Sequence, residues 1–467
     1  MCAVWAALSV AWIAADKLIR DGDEEGHVGA AELFLGDLRH GDLLGFLERL
    51  WVGPMGEYPQ AFAASVGSWW WLTGTSNPGD VSVRAICLMS LLLTALATGK
   101  IARRYVHPGQ ARSAELVAVS ATLLIPLGNG LSRHFMPEGA LMAAVAVTLL
   151  SAHRLTERPS MSRGLQLGVI LGLGLLTKQT FPLLIAAPMI YIIGRPRRTL
   201  WIPLSLAALT AACLAGPWLL SNAANQLTYT TAAVEGHGTG GLLAHLLFYP
   251  ESILRLGLGP PLFIAAVASA FTLIRARDRR PLMLAVVWLL GGLLILCFIP
   301  KKYPRLAAPL LPAAAVLVAA AWVRGARRQR TMLLGVSLAV PWVFWTSTQA
   351  ELSHPRATAI DPGCPQVWLR PPSADDLGLA EVQKKLSTLP PGAVLVDKDQ
   401  SIPCSLQTTH NWSSHLGPYL RRSGTDRDVH TDSASPHRFV LSLGAEGGEI
   451  SLPGLQMTLS IHDTLQP

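Results

Sequence analysis

The chain has 467 residues, of which 51% are hydrophobic and only 15% are charged, and its formal net charge is +8. About a quarter of the residues of an ordinary soluble domain are charged, so the composition excludes a purely soluble protein. The positive charge does not indicate nucleic-acid binding, because the arginines lie in short loops between apolar blocks, as topology determinants do.

Apolar blocks recur along the first 350 residues. A helix crosses a bilayer in about 20 residues, and about eleven blocks approach this length: 1–19, 83–102, 114–130, 138–153, 164–177, 180–194, 199–219, 259–274, 281–299, 306–323 and 331–347. After residue 350 the composition becomes that of a soluble domain. The sequence therefore predicts an all-α polytopic membrane domain over 1–349 and a separate soluble domain over 350–467.

The first apolar block leads into a cluster of carboxylates at 21–25. Hydrocarbon cannot solvate carboxylates, so at a membrane they are usually kept for a cavity, an ion or a reaction. The segment 21–82 that follows is not plain linker, because Leu and Trp residues between 33 and 51 recur at near-helical spacing among charged residues. We expect juxtamembrane helices on the membrane surface here and in 220–258, the other long segment on this side.

Basic residues mark every second loop of the membrane domain. Arginine and lysine cluster at 100–112, 154–163, 195–198, 275–280 and 324–330. Loops rich in these residues stay in the cytoplasm, so the carboxylate cluster and the C-terminal domain are predicted on the opposite face. The Ala-, Leu- and Arg-rich usage suggests a bacterium, in which that face of the inner membrane is the periplasm.

The C-terminal domain combines helix-like and strand-like stretches. A helix is predicted over 375–389, and strand-like runs occur at 393–397, 438–443 and 456–461. This alternation predicts a small extracytoplasmic α/β domain. Cys364 and Cys404 both lie in it, and we expect them to form a disulfide in an oxidising compartment.

The outward loops carry charges of both signs that suit transfer from a lipid phosphate. A carboxylate at the membrane surface can take the proton of an acceptor hydroxyl, and fixed cations can neutralise a phosphate as it leaves. The candidate catalytic carboxylates are Asp23, Glu24, Glu57 and Glu138. The candidate phosphate-binding residues are Lys178, Arg305, Lys302, Arg133 and Tyr303.

Other interpretations of these residues stay open. Carboxylates after a span are often solvated loop residues, and basic residues at helix ends often snorkel. No group has clear metal-ligand spacing, although the Asp23–Glu24 pair could hold a divalent cation, and no other cofactor is predicted. A transporter or flippase of a lipid-linked glycan is the alternative function. Transporters carry charges near the membrane midplane, whereas here charges gather at span ends on one face, which favours an enzyme.

Five short motifs occur in order along the first 325 residues: Asp23-Glu24-Glu-Gly-His27, Glu57-Tyr58-Pro59-Gln60, Arg133-His-Phe-Met-Pro137-Glu138, Gly174-Leu-Leu-Thr177-Lys178 and Lys301-Lys302-Tyr303-Pro304-Arg305. Together they resemble the motifs of the GT-C superfamily of polyprenyl-phosphate-sugar glycosyltransferases, above all the branch of the protein O-mannosyltransferases and the lipid A aminoarabinose transferase. Two positions depart from that pattern. Glu57 is not followed by the lysine and double proline of the family, and Glu138 stands where aspartate is common.

The resemblance implies a GT-C-like membrane glycosyltransferase that transfers a sugar from a polyprenyl-phosphate donor to a periplasmic acceptor, which is a lipid, a glycan or a protein. Asp23 would be the general base, and the other three carboxylates would orient donor or acceptor. Lys178 and Arg305 would hold the lipid phosphate. Because the sequence marks no second carboxylate as a nucleophile, we expect one displacement with inversion at the anomeric carbon.

Overall fold

The computed structural model describes residues 2–16, 22–52, 58–75, 80–194, 198–235, 242–276, 279–299, 302–324 and 329–348, together with 371–372, 384–385, 388, 394–396, 429–430, 439–444, 450–452 and 457–463. Within these residues the membrane part is helical throughout: α1 (Cys2–Ala15), α2 (Gly22–His40), α3 (Leu43–Val52), α4 (Ala61–Leu72), α5 (Asp80–Ala102), α6 (Ala111–Leu123), α7 (Pro126–Arg133), α8 (Pro137–Glu157), α9 (Met161–Leu175), α10 (Phe181–Ile193), α11 (Arg198–Ser221), α12 (Ala223–Glu235), α13 (Leu242–Ser252), α14 (Gly259–Arg275), α15 (Arg279–Phe298), α16 (Pro312–Trp322) and α17 (Gln329–Thr348).

Several of these helices are long and apolar enough to cross a membrane. Among the described residues there are five such helices, or up to seven if two bent helix pairs each count as one span. Each predicted apolar block lies over a helix, and the chain is a multi-pass membrane protein. The number of eleven spans stays a prediction, and so does their placement in the bacterial inner membrane.

The predicted span 114–130 is not one continuous helix. α6 ends at Leu123 and α7 begins at Pro126, and the two segments meet at an angle of 61°. Proline suits the first helical position because it has no N–H to leave unbonded. Asn129 stabilises the break, since its side-chain amide donates to two backbone carbonyls at 2.5 and 3.1 Å and accepts a hydrogen bond of 2.7 Å from Trp5. The predicted span 114–130 is therefore a bent pair of helices, and α7 is buried along its whole length.

Contacts between predicted cytoplasmic loops agree with the alternation of basic loops. Arg104 forms an ion pair of 2.8 Å with Glu157. Arg324 donates a hydrogen bond of 2.8 Å to the carbonyl of Tyr105. These contacts join the loops that follow α5, α8 and α16 at one end of the helix bundle.

α9 and α11 pack closely because α9 presents glycines to its neighbour. A Cβ atom at Gly168 would lie 2.6 Å from the carbonyl oxygen of Ala207. At Gly172 it would lie 2.8 Å from the Cβ of Leu214. Small residues allow helices to approach each other in a membrane, so Gly168 and Gly172 are helix-packing residues.

Gly168→Ala should destabilise the protein, because overpacking of a close interface costs about 1–3 kcal/mol. Gly216 of α11 is the matched control, since no described heavy atom lies within 4 Å of a Cβ built there. Gly216→Ala should keep or raise stability, because alanine favours a helix over glycine by about 1 kcal/mol. Thermal unfolding of the purified proteins in detergent measures both effects, and equal melting temperatures would contradict the close packing.

The described strands of the C-terminal region form a five-stranded mixed sheet. The strands are β1 (Val394–Val396), β2 (Val429–His430), β3 (Phe439–Gly444), β4 (Ile450–Leu452) and β5 (Met457–Asp463), in the order β2-β1-β3-β5-β4. β1 is parallel to β2 and β3, whereas β5 is antiparallel to β3 and β4. The three predicted strand-like runs lie over β1, β3 and β5. Most of the predicted helix 375–389, and both Cys364 and Cys404, lie outside the described residues, so the α/β assignment and the disulfide stay predictions.

Candidate functional site

A buried carboxylate holds two buried cations at the start of α8. Glu138 follows Pro137 in the first turn, where an acidic side chain also suits the helix dipole. Its Oε1 accepts a hydrogen bond of 2.6 Å from Lys178 Nζ and lies 3.1 Å from Arg305 Nε. The exposed fractions of the Glu138, Lys178 and Arg305 residues are 0%, 7% and 6%. We call these three residues the Glu138 triad; each of them is a candidate site residue from the sequence.

The turn between α9 and α10 presents Lys178. Its N–H donates to the carbonyl of Gly174 at 3.3 Å, and its carbonyl accepts from the N–H of Phe181 at 3.0 Å. Gly174 has to be glycine because a Cβ atom there would collide with the Phe181 ring. A hydrogen bond of 2.8 Å from the N–H of Ala61 to the carbonyl of Leu176 ties the start of α4 to the same turn. The position of Lys178 is thus set by backbone hydrogen bonds.

Arg305 reaches the triad from a short 3₁₀ segment, Pro304–Leu310, which is buried throughout and packs against α8. The Cζ atom of Arg305 lies 4.9 Å from the centroid of the Tyr303 ring. A guanidinium is attracted to an aromatic ring at this distance. Tyr303 therefore stabilises the position of the Arg305 side chain, and a contact of Tyr303 with the phosphate itself stays a prediction.

Lys302 is engaged by the end of α15. Its Nζ donates to the carbonyls of Leu296 and Cys297, both at 2.8 Å, and the residue is only 1% exposed. A positive charge is favourable at a helix C-terminus. Burial lowers the pKa of Lys302 to about 8. These contacts make Lys302 a cap of α15, and its predicted phosphate contact is not tested by them.

The Glu24 side chain connects the start of α2 to the segment that follows α7 through two polar contacts. Its Oε1 lies 2.8 Å from His134 Nδ1, and its Oε2 accepts a hydrogen bond of 2.8 Å from the N–H of Phe135. Burial alone would raise the pKa of Glu24. Interactions with His134, with Arg84 and with the Phe135 N–H outweigh burial and lower this pKa to about 2. Glu24 is therefore ionised at neutral pH, with both carboxylate oxygens already bonded.

A buried ion pair between Asp16 and Arg84 lies near Glu24, and the sequence analysis did not single it out. Arg84 Nη1 is 3.3 Å from Asp16 Oδ2, and the two side chains are 2% and 0% exposed. A buried charge is costly unless it is paired. The signal in the sequence was one acid near the end of the first apolar block, 1–19, and one base at the start of the second, 83–102. Such lone opposite charges at block ends on one face of the membrane are candidates for pairing.

Arg133 lies at the end of α7 beside Trp12. Its Cζ atom is 5.3 Å from the Trp12 ring centroid, and Trp12 packs edge-on against His134 at 6.1 Å. Within the described part of the chain, Arg133 Nε and Glu138 Oε2 are buried and have no hydrogen-bond partner. Buried polar groups are normally satisfied, so these two atoms are suited to a ligand or a water molecule.

Two further candidate carboxylates, Asp23 and Glu57, lie in the segment 21–82. Asp23 lies in the first turn of α2, directly before Glu24, but its side chain and the whole of Glu57 lie outside the described residues. Among the described residues, no three His, Cys, Asp or Glu side chains are grouped so that they could hold a metal ion.

An apolar cleft of about 340 Å³ lies between α4, α5, α8 and α9. Thr177, which precedes Lys178, and Ala140, which follows Glu138 by two residues, are among its lining residues. The hydroxyls of the lining residues Ser65, Ser90 and Thr177 donate to carbonyls of their own helices at 2.6–2.8 Å. The cleft therefore offers an apolar surface that extends to the residue before Lys178.

Two crystal structures of ArnT from Cupriavidus metallidurans have a similar fold. The structure bound to undecaprenyl phosphate matches with a TM-score of 0.62 and 16% identity, over 90% of this chain and 84% of that chain. The apo structure matches with a TM-score of 0.60 and 17% identity, over 90% and 83%. The chain has the GT-C fold.

The GT-C fold is also shared with the apo oligosaccharyltransferase of Archaeoglobus fulgidus, with a TM-score of 0.50 and 13% identity, over 92% of this chain and 64% of that chain. In sequence, the family described as Dolichyl-phosphate-mannose-protein mannosyltransferase matches residues 63–222, about a third of the chain. No curated protein matches the chain in sequence. The resemblance to GT-C proteins that the motif order predicted is confirmed.

Proposed function

We propose that the chain is an integral-membrane glycosyltransferase that takes a sugar from a polyprenyl-phosphate donor. The observation that carries the proposal is the Glu138 triad, which holds two buried cations. The chain also has an apolar cleft, and one of its lining residues, Thr177, directly precedes Lys178. A lipid-linked phosphate fits both features, because its phosphate is attracted to cations and its chain to an apolar surface. The binding of undecaprenyl phosphate by ArnT, which shares the fold, supports a donor of the same class.

In the proposed reaction, Asp23 takes the proton of the acceptor hydroxyl. The acceptor oxygen attacks the anomeric carbon, and the bond from that carbon to the phosphate oxygen breaks, with inversion. Lys178 and Arg305 stabilise the charge that develops on the leaving phosphate, as preorganised cations do. Glu24 positions Asp23, the residue before it. The bonds of Glu24 to the segment after α7 hold the first turn of α2, which includes Asp23, in place.

The site belongs to the periplasmic face in this proposal, because it is built from the loops that alternate with the basic ones. The membrane domain 1–349 is proposed to catalyse transfer, and 350–467 is proposed to form a periplasmic domain. The juxtamembrane helices would be α2, α3 and α4 in the segment 21–82, and α12 and α13 in the segment 220–258. The acceptor is proposed to be a periplasmic lipid, glycan or protein.

The proposal is tested with the full-length protein in lipid nanodiscs and donors that carry a labelled sugar on a polyprenyl phosphate. Fractions of envelope lipid, glycan and protein serve as acceptors. We expect label to move to one acceptor class while free polyprenyl phosphate appears in equal amount. Movement of an intact lipid-linked sugar across the membrane without transfer would instead support the flippase alternative and overturn the proposal.

The cleft should determine how well a long donor chain binds. Ala144 is half-buried and lines the cleft, so Ala144→Phe fills space that the chain would occupy. The loss of two buried methylene contacts, at about 0.8 kcal/mol each, should raise the KM for a long-chain donor roughly tenfold. The KM for a short-chain donor should change less. Ala212→Phe on the exposed side of α11 is the matched control, and an equal effect of both variants would argue against a chain in the cleft.

A further inference from the structure

Glu138 occupies the place where the proposed function would bring a phosphate. One oxygen of its carboxylate contacts both Lys178 Nζ, at 2.6 Å, and Arg305 Nε, at 3.1 Å. Its other oxygen is buried without a hydrogen-bond partner in the part of the chain that the structure describes. The two cations therefore already share an anion, and the formal charge of the triad is +1 rather than +2.

We infer that Glu138 is an internal counter-anion, which competes with the lipid phosphate for Lys178 and Arg305 and so speeds release of the spent carrier. This inference rests on the proposed function. The donor is a phosphodiester with one negative charge. When the acceptor oxygen bonds to the anomeric carbon, the electron pair of the broken C–O bond stays on the phosphate, and the acceptor proton goes to Asp23.

The carrier that leaves is a phosphate monoester, which carries about −1.5 to −2 charges near neutral pH. Two unopposed buried cations would bind this product more tightly than the donor, and turnover would be limited by product release. A carboxylate fixed between the cations lowers the affinity for both lipids, but its repulsion acts more strongly on the more highly charged product. Glu138 thereby favours exchange of product for donor.

A purely structural role of Glu138 predicts a different effect of its replacement on carrier affinity. If Glu138 only ties α8 to the 176–180 turn and to the 3₁₀ segment, its replacement destabilises the protein and leaves carrier affinity unchanged or weaker. Glu138→Gln removes the charge but keeps the shape and an oxygen that accepts a hydrogen bond from Lys178. Glu138→Asp keeps the charge and serves as the matched control.

The test measures binding of undecaprenyl phosphate to the full-length protein in nanodiscs, together with product inhibition of sugar transfer. Glu138→Gln should bind the carrier about tenfold more tightly than wild type, should be inhibited at correspondingly lower product concentration and should turn over more slowly. Glu138→Asp should show no tightening. Added undecaprenyl phosphate should also raise the melting temperature of Glu138→Gln more than that of wild type.

The outcomes separate this inference from the proposed function. If Lys178→Gln weakens binding of the carrier but Glu138→Gln does not tighten it, only the counter-anion role fails. If wild type does not bind the carrier at all, the proposed function fails, and the counter-anion role fails with it. Should Glu138→Gln fold poorly, recovery of its folding by undecaprenyl phosphate would support the inference, and absence of recovery would overturn it.

Discussion

Asp23→Asn is expected to lower the turnover of sugar transfer by about 10²-fold or more, because asparagine keeps the size of the side chain but cannot take the acceptor proton. The fold should be preserved, since the neighbouring Glu24 still bonds to His134 and to the N–H of Phe135 at 2.8 Å each. The measurement is the initial rate of transfer from a labelled polyprenyl-phosphate sugar at saturating donor.

The matched control for Asp23→Asn is Asp42→Asn. Asp42 is exposed in the same outward segment, and its Oδ1 accepts the N–H of Gly45 at 2.8 Å near the start of α3. Asparagine caps a helix as well as aspartate does, so this variant should keep both rate and stability. Wild-type turnover in Asp23→Asn would remove Asp23 from the role of general base.

Lys178→Ala should reduce donor affinity together with turnover. A hydrogen bond to a charged group contributes about 1.5–3 kcal/mol, which corresponds to a loss of roughly 10- to 100-fold in kcat/KM. The variant also leaves Glu138, which is 0% exposed, with Arg305 as its one remaining cation in the triad. Breaking a buried ion pair costs about 3–5 kcal/mol, so the melting temperature should fall as well.

Lys100→Ala is the matched control for Lys178→Ala. It also removes a lysine from an ion pair, but this pair lies at the exposed C-terminal end of α5. Lys100 pairs with Glu115 at 2.5 Å, but its side chain is 42% exposed. Exposed pairs contribute at most about 1 kcal/mol, so activity and melting temperature should stay near those of wild type. Unchanged kinetics in variants of Asp23, Glu138, Lys178 and Arg305 alike would eliminate the glycosyltransferase proposal.

The sequence alone determined those features that depend on short windows of residues. Hydropathy located the apolar blocks, because crossing a membrane requires a local run of apolar side chains. Short apolar runs at 393–397 and 438–443 located two strands of the C-terminal sheet, because residues such as valine and phenylalanine favour strands. The order of the five motifs indicated the GT-C fold, because each motif is a local pattern that can be recognised without knowing its neighbours in space.

Only the tertiary structure decided which charges meet. Glu138 and Lys178 are 40 residues apart in sequence, and their contact depends on how α8, α9 and the 3₁₀ segment pack. The same is true of Asp16 and Arg84, which pair although they are 68 residues apart. The 61° angle between α6 and α7 was also not visible in the sequence: Pro126 marks a helix start, but the hydrogen bond from the distant Trp5 to Asn129 forms only in the folded chain. The free energies of such contacts arise from packing between distant segments, and local composition carries no record of that packing.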